Sequence, residues 1–181
     1  MRSIFIVNQC VRVSQNDRYN TFWNIYAQGL WEREIFDMLS HYLQPGSLYI
    51  DIGAWIGPTT LYAASLGARV IAFEPDAIAH QELTYNVNQN LFHPLVQVVC
   101  AALSNKRGTA ILRSNDLGNS ESTLIAEKVE RKSGVIAFDQ EQSCEVFDIS
   151  TVVDEYKFRE ASLIKMDIEG GEYQLLPPLV E

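Results

Sequence analysis

Three short stretches of the sequence concentrate side chains able to bind or react: Asp51-Ile52-Gly53-Ala54-Trp55-Ile56-Gly57, Phe73-Glu74-Pro75-Asp76 and Lys165-Met166-Asp167-Ile168-Glu169. Glycines in the first let the backbone turn sharply and let a ligand approach without a Cβ in the way. Asp51 places a carboxylate at the entry of that loop. Loops that hold a pyrophosphate carry a G-x-G-x-x-G spacing and present the anion to a helix N-terminus, where a carboxylate would repel it. This loop lacks the spacing and has the acid, so it suits a cationic or zwitterionic ligand. Glu74 lies 17 residues beyond Gly57, and an acid at such a strand end accepts both hydroxyls of a ribose. Together the two acids describe a site for a positively charged nucleoside without phosphates. S-adenosylmethionine fits that description.

The elements that must position these residues alternate along the chain. Residues 4–13 read as one or two short strands. Residues 19–43 read as helical, with Trp31, Ile35, Met38, Leu39 and Tyr42 at helical spacing until Pro45-Gly46. The apolar runs 47–52, 69–73 and 95–100 read as buried strands. Pro58 opens a helix that stops at Gly67, and Asp76 caps another in which Ala79, Leu83, Val87 and Leu91 recur. Such alternation implies right-handed crossovers and a parallel sheet covered on both faces, an α/β protein. Between Cys100 and Leu163 the pattern changes to strands at 109–113, 134–138 and 144–149, with a short helix opening at Thr151. Residues 162–168 restore the buried strand. A last helix is predicted from near Glu172, interrupted by Pro177-Pro178.

At three places the sequence resembles the FkbM-type methyltransferases: Tyr49-Ile50-Asp51-Ile52-Gly53-Ala54 continuing to Gly57, Phe73-Glu74-Pro75-Asp76, and Lys165-Met166-Asp167-Ile168-Glu169-Gly170-Gly171-Glu172. Members of that family typically show an Asp-x-Gly-Ala-Asn-x-Gly loop, a Phe-Glu-Pro strand end and a Lys-x-Asp-x-Glu-Gly-x-Glu strand end. The likeness runs from about Trp31-Glu32 to Leu176. It implies a class I, Rossmann-like three-layer sandwich with a mostly parallel sheet. It also implies transfer of a methyl group from S-adenosylmethionine to an acceptor, usually a hydroxyl oxygen. By position, Asp51, Gly53, Ala54, Trp55 and Gly57 would line the methionine and adenosyl part. Glu74 would hold the ribose with Pro75 and Asp76 beside it, and Asn90 matches an asparagine the family often carries late in the following helix. Trp55 stands where many members have asparagine; it either stacks on a ligand or packs beneath the loop.

Methylation of a hydroxyl needs a proton acceptor. Strand alternation puts Leu163, Lys165 and Asp167 on one face, so Asp167 is the candidate base, with Glu169 and Glu172 as second choices. Lys165, charged within a buried-looking strand, is expected to pair with one of these acids. A purely structural lysine–carboxylate cluster is the competing reading, and nothing in the spacing demands a metal. A class I sheet has seven strands ordered 3-2-1-4-5-7-6, and this sequence ends just after the helix following strand 4. The expectation is therefore a sheet lacking strands 5–7, with an open edge beside strand 4 available for pairing.

The 181 residues suit one domain. The expected organisation is N-terminal strands and a helical cap at 1–46, then an S-adenosylmethionine-binding domain at 47–181 with a β-rich insertion at about 103–162. Acidic residues number 23 against 14 basic, and the net charge of −9 argues against a general nucleic-acid binder. Cys10, Cys100 and Cys144 are far apart and lack C-x-x-C spacing, which disfavours a disulfide framework or zinc site and favours a reducing compartment. No apolar run of 18 residues and no signal-peptide pattern occur, so a cytoplasmic protein without a membrane span is expected. The acceptor is expected to be a small molecule or glycan. The aromatic group Tyr19, Phe22, Trp23, Tyr26 and Trp31 serves either as a sugar platform or as helix packing. O-methylation of a sugar, glycan or small metabolite is the leading reading. The alternatives are a non-catalytic or truncated S-adenosylmethionine-binding domain and, less favoured because of Asp51 and the missing third glycine, a nucleotide-dependent oxidoreductase.

Overall fold

The computed structural model describes residues 1–120, 122–124, 130–131, 134–135, 140–168 and 172–180. It opens with a hairpin of β1 (Arg2–Ile6) and β2 (Gln9–Val13), paired antiparallel. Alternation decides its orientation: Ile4, Ile6, Val11 and Val13 are buried, while Phe5 and Arg12 face out. The segment expected as one helix is two, α1 (Asp17–Ala27) and α2 (Arg33–Tyr42). Gly29 at φ +67° and Glu32 at φ +38° occupy left-handed backbone conformations between them, and such residues cannot continue a right-handed helix.

The alternating region follows as β3 (Leu48–Ile52), α3 (Pro58–Ser65), β4 (Arg69–Phe73), α4 (Ala77–Gln89) and β5 (Val96–Val99). Leu91, expected to close the apolar stripe of α4, lies past its end at φ +58° and is 70% exposed. The chain then forms β6 (Ala102–Ser104), β7 (Gly108–Ser114), the two-residue strands β8 (Glu130–Arg131) and β9 (Gly134–Val135), and β10 (Gln140–Asp148). Most of the strand expected at 134–138 lies outside the described residues. Helix α5 (Ile149–Glu155) is capped by Asp148, whose side chain accepts from the Ser150 N–H, so it begins before the expected Thr151. After a 3₁₀ turn at Phe158–Glu160 come β11 (Leu163–Met166) and α6 (Glu172–Val180). Helix α6 runs through Pro177-Pro178, where a break was expected; the prolines remove two helical N–H donors without ending the helix.

Four strands form one parallel sheet in the order β11-β3-β4-β5. Read from the other edge, this is the 3-2-1-4 order expected for the first four class I strands, and among the described residues no strand pairs beyond β11. The chain steps outward from β3 to β5, then returns to place β11 on the opposite side of β3. The helices that follow β3 and β11, α3 and α6, therefore pack on opposite faces of the sheet, which places a switch point at its carboxyl edge. Strands β6, β7 and β10 of the insertion are not hydrogen-bonded into this sheet. They build a second sheet, β6-β10-β7, that β5 enters through Cys100-Ala101.

Side-chain alternation divides the core by sheet face. Tyr49, Val70 and Ala72 pack with α3, α4, α1 and the hairpin, whereas Leu48, Ile50, Ile52 and Phe73 pack with α5, the 3₁₀ turn and α6. The hairpin is fastened to α4 by two asparagines acting as a surrogate strand. Asn90 accepts from the Arg12 N–H and donates to the Arg12 carbonyl, both at 2.7 Å. Asn86, fully buried, accepts from the Ser14 N–H at 2.9 Å and donates to the Ile56 carbonyl at 3.1 Å. Asn86→Ala leaves a buried donor and a buried acceptor unpaired, and is expected to lower stability by about 2–4 kcal/mol in urea unfolding. A loss within 0.5 kcal/mol, roughly that of an ordinary surface substitution, contradicts the clamp.

Candidate functional site

The site begins with the register of β3 against β11. Asp51 pairs in register with Lys165, and both side chains point to the α3 side of the sheet. Asp51 is fully buried, and one carboxylate oxygen accepts from the hydroxyls of Thr59 and Thr60 at 2.6 and 2.7 Å. Both threonines sit in the first turn of α3, where the helix dipole favours a negative charge. The other oxygen lies 3.5 Å from Lys165 Nζ, which is 3.7 Å from Asp167 and donates to the Gly53 carbonyl at 3.1 Å. Lys165 thus pairs with Asp167, as expected, and also with Asp51. Asp51 itself does not line the cavity described below; it holds the loop from beneath. Gly57 has the same supporting place: φ is +95° and an added Cβ would lie 2.5 Å from Leu83.

The loop amides turn inward. Gly53 and Ala54 both donate to the Phe73 carbonyl at 3.0 Å, Trp55 donates to a Glu74 carboxylate oxygen at 2.7 Å, and Gly57 donates to Ala54. At Gly53, φ is +78° and an added Cβ would stand 1.9 Å from the Asp167 carbonyl oxygen. The glycine therefore permits the β3 and β11 loops to interlock through their main chains, rather than clearing space for a ligand.

Glu74 directly follows β4, with one oxygen bound by the Trp55 N–H and the other by the Asp76 N–H at 2.8 Å. Burial pushes its carboxyl up to about 7, against the lowering pull of those two N–H groups. The folded value exceeds the unfolded one, so its contribution to folding stability is full below about 4.5 and lost as pH rises through about 7. Trp55 packs under the wall and also borders the cavity. Its indole donates to the Gly118 carbonyl at 2.8 Å, and its ring meets Phe22 and Tyr19 edge-on at 4.5 and 5.8 Å. Asp76 caps α4 with one oxygen and accepts from the Gly118 N–H at 2.6 Å with the other. Arg18 adds a 2.5 Å ion pair to Asp116 and a bond to the Leu117 carbonyl, so the 115–120 strap is tied to α1 and α4.

A cavity of about 920 Å³ lies between the carboxyl ends of β3, β4 and β11 and the second sheet, within the size range of metabolite sites. Of the expected residues, Gly53, Ala54, Trp55, Glu74, Pro75, Lys165 and Asp167 line it together. Asp51, Gly57 and Asp76 stand behind it as supports. Asn90 is separated from the group, at the far end of α4 with its amide engaged by β2. Glu169 lies outside the described residues. Glu172 accepts from the Ile168 N–H at 2.9 Å and so ties α6 to the end of β11. Phe22 and Trp31 line the cavity, while Tyr19, Trp23 and Tyr26 are buried packing. Sequence reasoning assigned no role to Glu32, Ser104, Thr109, Asn119 or Ser120, which also line it. Only the position of the insertion after the third parallel strand hinted at the last four. The internally bonded loop amides offer no cradle for a pyrophosphate, and the Glu74 carboxylate borders the cavity.

Residues 51–179 match the family model described as the methyltransferase FkbM domain. No curated protein matches the sequence. Among solved structures, a putative rRNA methylase from Clostridium thermocellum is 18% identical over 40% of this chain and 49% of its own, with a TM-score of 0.36. Pyrococcus horikoshii TYW2 in complex with MeSAdo is 21% identical over 40% and 33%, with a TM-score of 0.34. The METTL16 MTase domain is 25% identical over 41% and 31%, with a TM-score of 0.34. The chain thus spans about half or less of the length of the structures it resembles.

Removing the Asp51 carboxylate takes the nearer counter-ion from a lysine whose side chain is only 15% exposed and leaves two buried threonine hydroxyls without their acceptor. Asp51→Ala is expected to destabilise the fold by about 3–5 kcal/mol, read as a shifted urea midpoint with an unchanged slope. A cost below about 1 kcal/mol, the level of a surface ion pair, is incompatible with this arrangement.

Proposed function

The chain belongs to the FkbM methyltransferase domain family, and on that premise we propose that it is an S-adenosylmethionine-dependent methyltransferase acting on a hydroxyl of a sugar, glycan or small metabolite. The state of the loop amides carries the cofactor part of this reading. Those of Gly53, Ala54, Trp55 and Gly57 all donate within the protein, so they form no cradle for a diphosphate. The carboxylate of Glu74 does border the cavity. That combination disfavours a dinucleotide and suits a ribose without phosphates. Glu74 would hold the ribose hydroxyls with Pro75 beside it, and Gly53, Ala54 and Trp55 would flank the remainder. When bound, S-adenosylmethionine supplies a methyl group already activated by its sulfonium.

Asp167 is the base in this proposal. Its side chain is 57% exposed, borders the cavity and is held by Lys165 at 3.7 Å, so an acceptor hydroxyl can reach it. Interlocking of its main chain with Gly53 fixes the base relative to the cofactor loop, and such positioning supplies much of the rate in a displacement reaction. The acceptor reading rests on the walls. Ser104, Thr109, Asn119 and Ser120 offer neutral hydrogen-bonding groups, Lys106 and Arg107 add two cations, and Phe22 and Trp31 offer aromatic rings. Sugars combine polar edges with apolar faces and match both.

Two outcomes are expected. Ribose hydroxyls donate to ionised Glu74, whose carboxyl titrates at about 7 in the free protein. Calorimetric affinity for S-adenosylhomocysteine should therefore fall up to about tenfold per pH unit below that value, with net proton release on binding near neutrality. An affinity flat from pH 5.5 to 8 sinks the ribose role. Asp167→Asn should keep that affinity and lower turnover on a hydroxylated acceptor by roughly 10²–10⁴. Turnover that survives the substitution locates the base elsewhere.

A further inference from the structure

The acid first expected to meet the positive charge of the ligand, Asp51, is closed off beneath the loop by Thr59, Thr60 and Lys165. Another acid must take that place. Among the described residues, Glu32, Glu74 and Asp167 are the carboxylates that line the cavity. Glu74 has both oxygens fixed by backbone N–H groups at the end of β4, the ribose side. Glu32 lies at the other end, where burial above all raises its carboxyl titration, the nearby Asp167 raises it further and Lys165 lowers it.

Its backbone is unusual. Glu32 precedes α2 at φ +38° and ψ +52°, and its side chain makes no capping hydrogen bond. Non-glycine residues adopt this left-handed conformation at a cost, and they persist where surrounding structure imposes it, often at binding sites. Here Trp31 supplies the constraint, its ring packed on Phe22 and Phe36 at 5.4 and 5.9 Å. The strained backbone thus presents a carboxylate without a hydrogen bond or ion pair among the described residues. Lys165 is already paired with Asp51 and Asp167, so the nearby Glu32 carboxylate has no ammonium of its own among the described residues. The local charge is complementary to a cation.

We infer that Glu32 binds the α-ammonium group of the methionine moiety, on the side of the cavity opposite Glu74. This assignment rests on the cofactor reading above and moves the cation contact from the loop to the start of α2. The two acids then divide the ligand, Glu74 taking the nucleoside and Glu32 the amino-acid end.

Calorimetry with S-adenosylhomocysteine and 5′-methylthioadenosine tests it, because the second keeps nucleoside and thioether but lacks the amino acid. Glu32→Gln should weaken S-adenosylhomocysteine by about tenfold, the usual effect of one charge-assisted hydrogen bond, and leave methylthioadenosine within about twofold. Glu32→Gly removes the carboxylate and relieves the left-handed strain, so it should show the same selectivity with equal or greater stability. Equal weakening of both ligands, or none, overturns the assignment while leaving the cofactor reading in place. Wild-type protein that binds neither ligand overturns both.

Discussion

A fully buried carboxylate needs its charge compensated by its neighbours, and Asp51 is where this structure meets that requirement. Its partners come from two elements flanking its own strand: two hydroxyls from α3 and an ammonium from β11. The desolvation penalty of such an ion is several kcal/mol and is offset only while all partners remain in register. A slip of β11 by one residue would turn Lys165 to the other face of the sheet. The parallel pairing of β3 with β11, the start of α3 and the path of the loop between them therefore stand or fall together.

The second carboxylate works under the opposite condition. Glu74 is also buried, yet among the described residues its carboxylate accepts from two main-chain N–H groups and forms no ion pair, with Lys165 acting on it only at a distance. Its charge is under-compensated in the free protein, which is why its carboxyl titrates near neutrality. Hydroxyl donors from a ligand complete a shell that the protein leaves incomplete. One acid is sealed and structural, the other is held ready; the difference lies in which groups their neighbours contribute.

Most of the sheet was legible because its signals are local. Five-residue apolar runs ending at Asp51-Ile52 and Phe73-Glu74, each followed by a helix signal, leave little freedom in a parallel α/β arrangement, and the observed order β5-β4-β3-β11 follows. The break between α1 and α2 was hidden, because helical spacing persists across Gly29 and the left-handed turn at Glu32 has no apolar signature. The second sheet was harder still. Strand β7 and the second half of β10 were visible, but the three-residue β6 was not, and pairing β10 parallel to β6 and antiparallel to β7 is a non-local choice. At the site, Glu74 and Asp167 were readable as strand-end acids. The concealment of Asp51, the departure of Asn90 to clamp β2, and the arrival of Glu32 all depend on which face a neighbouring element covers, information that spacing does not contain.

The contact between Gly53 and the Asp167 carbonyl is made of main chain alone. A frame built that way does not encode what it holds. Side chains on the wall supplied by β6, β7 and the segment after the strap can be exchanged by mutation without disturbing the two loops that aim the chemistry. Evolution can thus redirect such a protein to new acceptors one wall residue at a time, while any change at position 53 is met at once by a backbone atom that has nowhere to go.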